Sequence, residues 1–484
     1  MEDGANPRRW KAFGVCVAGA ALSVLDLTKV NVAVPSLETR LGASPVELQL
    51  VIAAYAVAFG LVLVPSGRLG DLGARKPLFL IGLVLFGAAS LLCGLAPSAS
   101  ALVSFRALQG VAAGILMPQV IGFIQHLFPP AERGRAFGLF GGITGFLTAL
   151  GPVLGGVLIE LGGTQLGWRM TFWINVPLLL ALLPFAATLL PRTAPTVAHR
   201  MTIDVVGVML FGASVTLLMI PFVLTSGRGG DDSARWWALL GCAVALVAFL
   251  CWERSYSARG NDPLIDLSLL RIETYRYSLL VGSIYYAGMP AVFIVVTLFL
   301  QQGLGVPAGL AGLAVVPFPL ASALAAVGIA RLLPTWSREL VWAGLGIATG
   351  GFLLVLAASS ALPAGSVTWG MSAALALAGI GGGIVAAANQ TRMLQHVPIA
   401  RGGVAGAFGQ VGQRTGTAIG VAAVVSSYFS TLAGIDDGSR LEGYRSAVSG
   451  GLAVAVGFFA VALAVSLLDR QRSPEQRRGT TPEV

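Results

Sequence analysis

Charge is scarce in this chain. Only 11% of its 484 residues are Asp, Glu, Lys or Arg, while 56% are hydrophobic, and the mean hydropathy is +0.81. Soluble domains do not carry that balance, which leaves a polytopic membrane protein. Lysine is nearly missing: Lys11, Lys29 and Lys76 are the only lysines among 31 basic residues, a bias that with the high Ala and Gly content points to a GC-rich bacterial genome. The four cysteines (Cys16, Cys93, Cys242, Cys251) all fall in apolar runs with neither metal nor disulfide spacing, so they read as small core residues. The three histidines, His126, His199 and His396, sit at the ends of apolar runs, and a proton relay is the minor reading for them. No Cys/His cluster, no nucleophile–base pair at usable spacing and no Gly-x-x-x-x-Gly-Lys-Ser/Thr loop is present. Neither an enzyme, nor a bound metal or cofactor, nor direct drive by ATP is expected. The net charge of +9 is no nucleic-acid signal, because the basic residues are scattered through short loops.

What fills the chain is apolar runs long enough to cross a bilayer of about 30 Å. They cover roughly 12–34, 46–66, 78–97, 101–125, 135–159, 171–190, 204–224, 235–252, 276–300, 308–330, 340–361, 367–391, 404–428 and 447–468. The first is preceded by a short basic segment and lacks a small-residue cleavage pattern, so it reads as a retained helix. With the N-terminus inside, the 31 basic residues divide into 22 in inner segments, 6 in outer segments and three within runs, Lys29, Arg106 and Arg414. Inner loops carry the excess of Lys and Arg, so both termini are expected in the cytoplasm and the number of crossings is even. The inner loop 253–275 mixes both charge signs, a pattern for a short amphipathic helix on the membrane surface.

The first run holds an acid, a base and an amide, in Leu25-Asp26-Leu27-Thr28-Lys29-Val30-Asn31-Val32-Ala33-Val34-Pro35. Ionisable groups at membrane depth are costly and functional by default. Asp26 sits about 13 Å from the Pro35 end, close to mid-membrane, and Lys29 about 9 Å from it. Three residues apart, the two share a helix face, while Asn31 lies on another. Lys29 has two courses: pairing with Asp26, or snorkelling outward.

Four further stretches stand out. Gly67-Arg68-Leu69-Gly70-Asp71-Leu72-Gly73-Ala74-Arg75-Lys76 follows the second run, either as a basic turn or as a charge clasp between helical bundles. Arg106, in Phe105-Arg106-Ala107-Leu108-Gln109-Gly110 of the fourth run, either snorkels to the outer surface or pairs with Asp26. The fifth run carries Gly151-Pro152-Val153-Leu154-Gly155-Gly156, whose four-residue glycine spacing makes a smooth packing groove and whose proline bends the helix. Trp168-Arg169-Met170-Thr171-Phe172-Trp173-Ile174-Asn175-Val176-Pro177 enters the sixth run from outside and reads as an interface anchor. In the second half, Tyr285, Tyr286, Gln301, Gln302, Asn389, Gln390 and Gln410 fall in or at the ends of runs. Gln301 and Gln302 read as interfacial, and Asn389 and Arg414 as cavity-facing.

In this order and placement the stretches resemble the major facilitator superfamily, and within it the fourteen-helix drug:proton antiporters. The first resembles that family's Leu-Asp-x-Thr-x-Val-Asn-Val-Ala-Leu-Pro at Leu25, Asp26, Thr28, Val30, Asn31, Val32, Ala33 and Pro35. The loop resembles Gly-x-Leu-Ala-Asp-Arg-x-Gly-Arg-Lys at Gly67, Leu69, Asp71, Arg75 and Lys76, with Leu72 where Arg is usual and Ala74 where Gly is usual. Arg106, Gln109 and Gly110 match Arg-x-x-Gln-Gly, and Gly151, Pro152, Gly155 and Gly156 match the antiporter Gly-Pro-x-x-Gly-Gly, with Leu147 in place of a preceding glycine. Lys29 holds a position that is usually aliphatic, and Gln413-Arg414 reverses the usual order of those two residues.

The resemblance implies an all-α major-facilitator fold with 14 transmembrane helices. An N-terminal six-helix bundle (12–190) is followed by two linker helices (204–252), the cytoplasmic loop (253–275), a C-terminal six-helix bundle (276–468) and a cytoplasmic tail (469–484). It implies proton-coupled efflux of small amphipathic compounds by alternating access, with the proton gradient as energy source. The alternative is a metabolite facilitator or symporter of the same fold, and a non-transporting receptor is a more distant rival. Asp26 and Arg106 are the proton-coupling candidates. Lys29, Asn31, Gln109, Asn389 and Arg414 are the substrate-cavity candidates, and Gly67, Asp71, Arg75, Lys76, Gly151, Pro152, Gly155 and Gly156 the gating candidates. The expected partners are a small-molecule substrate, protons and lipid but no nucleic acid, for a monomer in a bacterial inner (plasma) membrane. One acid against two cations in the first bundle, and no acid between Tyr277 and Ala330, predicts neutral or anionic amphiphiles over dications.

Overall fold

The computed structural model describes residues 7–192, 204–223, 232–259, 261, 263–264, 267–398, 401–433 and 440–472. It is built of helices, with no strand among the described residues. They are α1 (Pro7–Leu41), α2 (Pro45–Leu69), α3 (Arg75–Leu95), α4 (Ala99–Leu127), α5 (Pro130–Trp173), α6 (Asn175–Leu189), α7 (Val205–Val223) and α8 (Trp237–Ala258). There follow α9 (Glu273–Leu298), α10 (Ala308–Val315), α11 (Pro317–Gly328), α12 (Leu333–Ala361), α13 (Ala364–Leu394), α14 (Gly402–Ala433) and α15 (Arg440–Arg472). Among the described residues 13 stretches are long and apolar enough to cross a membrane, and one of them, Leu50–Leu95, joins α2 to α3. Counted helix by helix, the expected fourteen crossings are present. Helices α10 and α11 share one crossing, Gly309–Gly328, and the last part of α5 runs into α6 as another, Gln165–Leu189.

Local chemistry sets the breaks. Ser44 caps α2 through the Glu47 N–H, while the Glu47 carboxylate accepts from the Ser44 N–H, a reciprocal cap with Pro45 as the first helical residue. Ser98 caps α4 in the same sense. The turn from α2 to α3 passes through Gly73 at φ 105°, and α5 breaks at Gly163 at φ 60°, conformations that only glycine adopts without strain.

With an even number of crossings, Pro7 and Arg472 lie on one face, here termed the terminal face. Two large apolar cores result. One draws on α1–α8 and reaches the terminal-face ends of α13 and α14; the other lies within α9–α15. Helix α7 wedges between them. Phe211 meets Phe408 of α14 at 6.2 Å between ring centroids, and a Cβ on Gly60 of α2 would come within 3.3 Å of Val215.

The seam between the bundles closes through glycines near the terminal face. A Cβ on Gly67 would lie 2.8 Å from the Gly403 carbonyl oxygen of α14, and one on Gly406 2.6 Å from Ile121 of α4. On the other flank, a Cβ on Gly138 would lie 2.8 Å from the Ala326 oxygen, and one on Gly142 2.9 Å from Ala323 Cα, both on α11. Small residues let backbones approach where lipid offers no hydrophobic drive for association.

Two expectations change. The loop 253–275 is shorter than the sequence suggests, because α8 runs on to Ala258. Glu253 is buried there and accepts from the Leu264 N–H at 3.2 Å, and Leu264 and Leu269 are drawn into the first core. Among the described residues a 3-10 turn, Leu267–Arg271, stands where a surface helix was expected. The tail boundary at 469 also moves. Helix α15 continues to Arg472, and Asp469 is buried as the partner of Arg392 at 2.5 Å. A charged residue inside a packed helix end is paired rather than solvated.

The α12–α13 pair shows how such packing reads out. A Cβ on Gly351 would sit 2.6 Å from Ala378 Cα, whereas one on Gly346 meets nothing within 4 Å. Gly351→Leu should therefore lower the melting temperature of the detergent-purified protein by about 5 °C, the scale of roughly 1–3 kcal/mol of overpacking. Gly346→Leu, measured beside it, should melt like wild type.

Candidate functional site

The polar segment of the first run lies in the middle of α1. Asp26 and Lys29 are both fully buried, with the carboxylate 3.2 Å from the ammonium. Lys29 therefore pairs and does not snorkel. From α4, Arg106 reaches the other carboxylate oxygen at 2.6 Å, which decides against an outward-snorkelling Arg106 as well. Among the described residues Asp26 is the one acid buried in mid-helix; Asp71, Asp204, Glu253 and Asp469 are buried at or near helix ends.

A shell of uncharged groups completes the cluster. Asn175, at the start of α6, donates from Nδ2 to Asp26 Oδ1 at 2.7 Å and accepts from Lys29 Nζ at 2.5 Å. It also donates to Ser90 Oγ of α3 at 3.1 Å. Gln109 accepts from Arg106 at 2.7 Å and donates to Ser90 at 2.8 Å. The Arg106 Nε–H donates to the Val51 carbonyl at 3.1 Å, and its guanidinium lies over the Tyr55 ring, 4.4 Å from the centroid. Tyr55 in turn donates to the Ser23 carbonyl at 3.0 Å. Asp26, Lys29, Ser90, Arg106, Gln109 and Asn175 have no exposed surface. One carboxylate thus faces two cationic groups in the fully buried interior of the bundle, where charges survive only when paired and hydrogen-bonded.

The glycines of α5 seat this segment. A Cβ on Gly151 would overlap Thr28 Oγ1, and one on Gly155 would lie 2.8 Å from the Lys29 carbonyl oxygen. These two glycines face α1 of their own bundle rather than the opposite bundle, whose contact with α5 runs through Gly138 and Gly142. Gly156 packs on nothing within 4 Å, so it takes no part in that fit. The side chains of Asn31 and Pro152 lie outside the described residues.

The loop motif forms a clasp. Asp71 accepts from Arg75 at 2.8 Å and from the Gly403 N–H at 3.0 Å on one oxygen, and from the Val404 N–H at 2.9 Å on the other. A carboxylate from the first bundle thereby caps the free N–H groups that open α14 in the second. Lys76 is not part of it: its Nζ donates to the Leu190 carbonyl at 2.7 Å, inside the first bundle.

The expected cavity set is corrected in part. Lys29 and Gln109 are sealed in the bundle core and line no cavity here. Asn389 donates to the Ser278 carbonyl at 2.9 Å and is buried in the second bundle. Among those of the set whose side chains are described, Arg414 stands at the seam, half-buried, its guanidinium 4.9 Å from the Phe59 centroid of α2. Trp168, expected as an interface anchor, is 2% exposed and belongs to the core, with Arg169 stacked on it at 4.4 Å. Gln301 and Gln302 are exposed, in keeping with interfacial positions. Sequence reasoning missed Asn175, Ser90 and Tyr55. Asn175 had a signal, an amide at the start of an apolar run, masked by the neighbouring Trp and Arg.

A family model described as Major Facilitator Superfamily matches residues 16–421. A probable actinorhodin transporter of Streptomyces coelicolor is 33% identical over 98% of this chain and 82% of its own length. A tetracenomycin C resistance and export protein of Streptomyces glaucescens is 28% identical over 98% of this chain and 94% of its own. Among solved structures, that of the proton:xylose symporter XylE superposes with a TM-score of 0.65 at 16% identity, covering 97% of this chain and 96% of that one, a likeness of fold.

Two outcomes follow from the site. Arg106→Gln leaves Asp26 paired with Lys29 and Asn175 but removes the hydrogen bonds to Val51 and Asp26, and should destabilise the protein by about 1–3 kcal/mol, read by thermal unfolding in detergent. Asp71→Asn keeps the size of the clasp but not its charge. It should raise hydrogen exchange at the Gly403 and Val404 amides about tenfold, the scale of roughly 1.4 kcal/mol for a weakened charge-assisted cap.

Proposed function

The chain belongs to the Major Facilitator Superfamily, and from that premise we propose that it exports small amphipathic, drug- or antibiotic-like compounds in exchange for protons. Relatives spanning nearly the whole chain are named as an antibiotic transporter and as a resistance and export protein. The observation that supports the coupling is the Asp26 cluster: among the described residues, the one carboxylate buried in mid-helix, set between two cations. Such a carboxylate loads a proton when its cations draw away and releases it when they return. Alternating access supplies those two surroundings.

The terminal face is assigned to the cytoplasm, in support of which 22 basic residues stand in inner segments against 6 in outer ones. On that assignment the bundles are closed towards the cytoplasm by the Asp71 clasp and the glycine seam. The proton gradient is the energy source, the membrane is the bacterial plasma membrane, and the working unit is one chain.

Everted vesicles loaded with a pH-sensitive dye provide the test. Wild type should show substrate-dependent proton movement; Asp26→Asn leaves Lys29 and Arg106 without their acid, so its insertion and melting are measured first, and the inserted protein should lose that movement. Full proton coupling in that variant would remove Asp26 from the role. Accumulation of substrate on the cytoplasmic side of the vesicles would make the protein an importer.

A further inference from the structure

The sequence pointed to Lys29 as the cation that sets substrate charge, but Lys29 is shut inside the first bundle with Asp26 and Asn175. The cation at the seam is Arg414. It lies 12 residues beyond Gly402, the first residue of α14, hence about 18 Å along the helix, at mid-span. Its guanidinium rests on the face of Phe59, which α2 contributes from the opposite bundle. Tyr55 of α2 and Tyr286 of α9 are its titratable neighbours. Among the described residues no carboxylate lies within ion-pair distance of Arg414, and no hydrogen bond holds its guanidinium.

Its setting contrasts with that of Arg106. The rings of Tyr55 and Phe59 lie one helical turn apart on α2, with centroids 6.3 Å apart and planes within 17°. Each carries a guanidinium: Arg106 at 4.4 Å over Tyr55, Arg414 at 4.9 Å over Phe59. Arg106 has its acid in Asp26, and Arg414 has none. A guanidinium held at membrane mid-depth by one aromatic face is short of a counter-charge. It also presents the planar fork that pairs best with a carboxylate. Phe59, buried beneath the guanidinium, and half-buried Tyr286 are the aromatic groups beside that fork.

We propose that Arg414 is a substrate-binding residue that selects aromatic anions: a carboxylate or phenolate pairs with the guanidinium while the substrate's ring packs beside Phe59 and Tyr286. This rests on the export reading above and names the chemical class of the exported compound. A lipophilic cation meets repulsion at this point, because among the described residues no acid pairs with Arg414, and Asp26 is buried with Arg106 and Lys29.

Two dyes that share one xanthene ring system test the selection: fluorescein, an anion, and rhodamine 6G, a cation. Binding to the full chain in lipid nanodiscs is read at equilibrium by fluorescence polarisation, with no gradient present. Wild type should bind fluorescein at least tenfold more tightly than rhodamine 6G. Arg414→Gln should weaken fluorescein binding tenfold or more and strengthen rhodamine 6G binding, while Arg414→Lys keeps most of the fluorescein affinity. Equal or tighter binding of rhodamine 6G by wild type, or undiminished fluorescein binding by Arg414→Gln, overturns the assignment. Uptake of the bound dye into everted vesicles reports on export separately. Fluorescein bound through Arg414 but not taken up supports the anion site and contradicts export; rhodamine 6G both bound preferentially and taken up supports export and overturns the anion site.

Discussion

A carboxylate in the middle of a membrane helix has to be held, and the way Asp26 is held organises the first bundle. Arg106 takes one oxygen at 2.6 Å, and Lys29 and Asn175 share the other at 3.2 and 2.7 Å. Neither water nor lipid can replace those partners. The remaining polar groups of the cluster are passed on to Ser90, to Gln109, to the Val51 carbonyl and to the Tyr55 ring, while the Arg106 Nη2 is left without a hydrogen-bond partner. The glycines of α5 follow from the same requirement. The helix that backs Thr28 and Lys29 must come so near that a side chain at Gly151 or Gly155 has no room. A motif that reads as a smooth packing groove therefore serves to seat a charged segment.

Charge and packing meet again where the bundles join. The Asp71 carboxylate closes the terminal face by capping α14, and Gly67 lets the two backbones touch beside it. Helix α5 links the two regions, since Gly151 and Gly155 lie on α1 while Gly138 and Gly142 lie on α11. A shift of α1 that accompanies a change of charge at Asp26 thus has a packed backbone path to the seam. The Tyr55 and Phe59 rings of α2 form a second route, carrying Arg106 on one ring and Arg414 on the other. On the proposed mechanism, loading of the buried carboxylate and occupation of the seam are neighbouring events, separated by one pair of aromatic rings.

Much of this was legible in the residues before any coordinates. Long apolar runs fix fourteen crossings because only helices that satisfy their own backbone can span lipid. Asp26 and Arg106 stood out because each is a charge in an apolar run, and opposite charges at comparable depth find one another. The fate of Lys29 was open, because helix spacing alone does not distinguish an inward from an outward rotamer. The third partner, Asn175, is 149 positions from Asp26 and stood beside residues typical of an interface. Ser90 and Tyr55 carried no signal, being ordinary residues of membrane helices. The partner of Gly151 was not legible for a related reason. A glycine shows that something approaches closely, but which helix approaches depends on rotation and register, and neither is written in the spacing.

Infrared difference spectroscopy of the reconstituted protein tests the loading of Asp26 most directly, because a protonated carboxyl absorbs apart from a carboxylate. When the pH is lowered across the working range, wild type should gain a protonated-carboxyl band that is missing from the same difference spectrum of Asp26→Asn. A band of equal size in both proteins would place the proton on another group and contradict the central role given to the buried carboxylate.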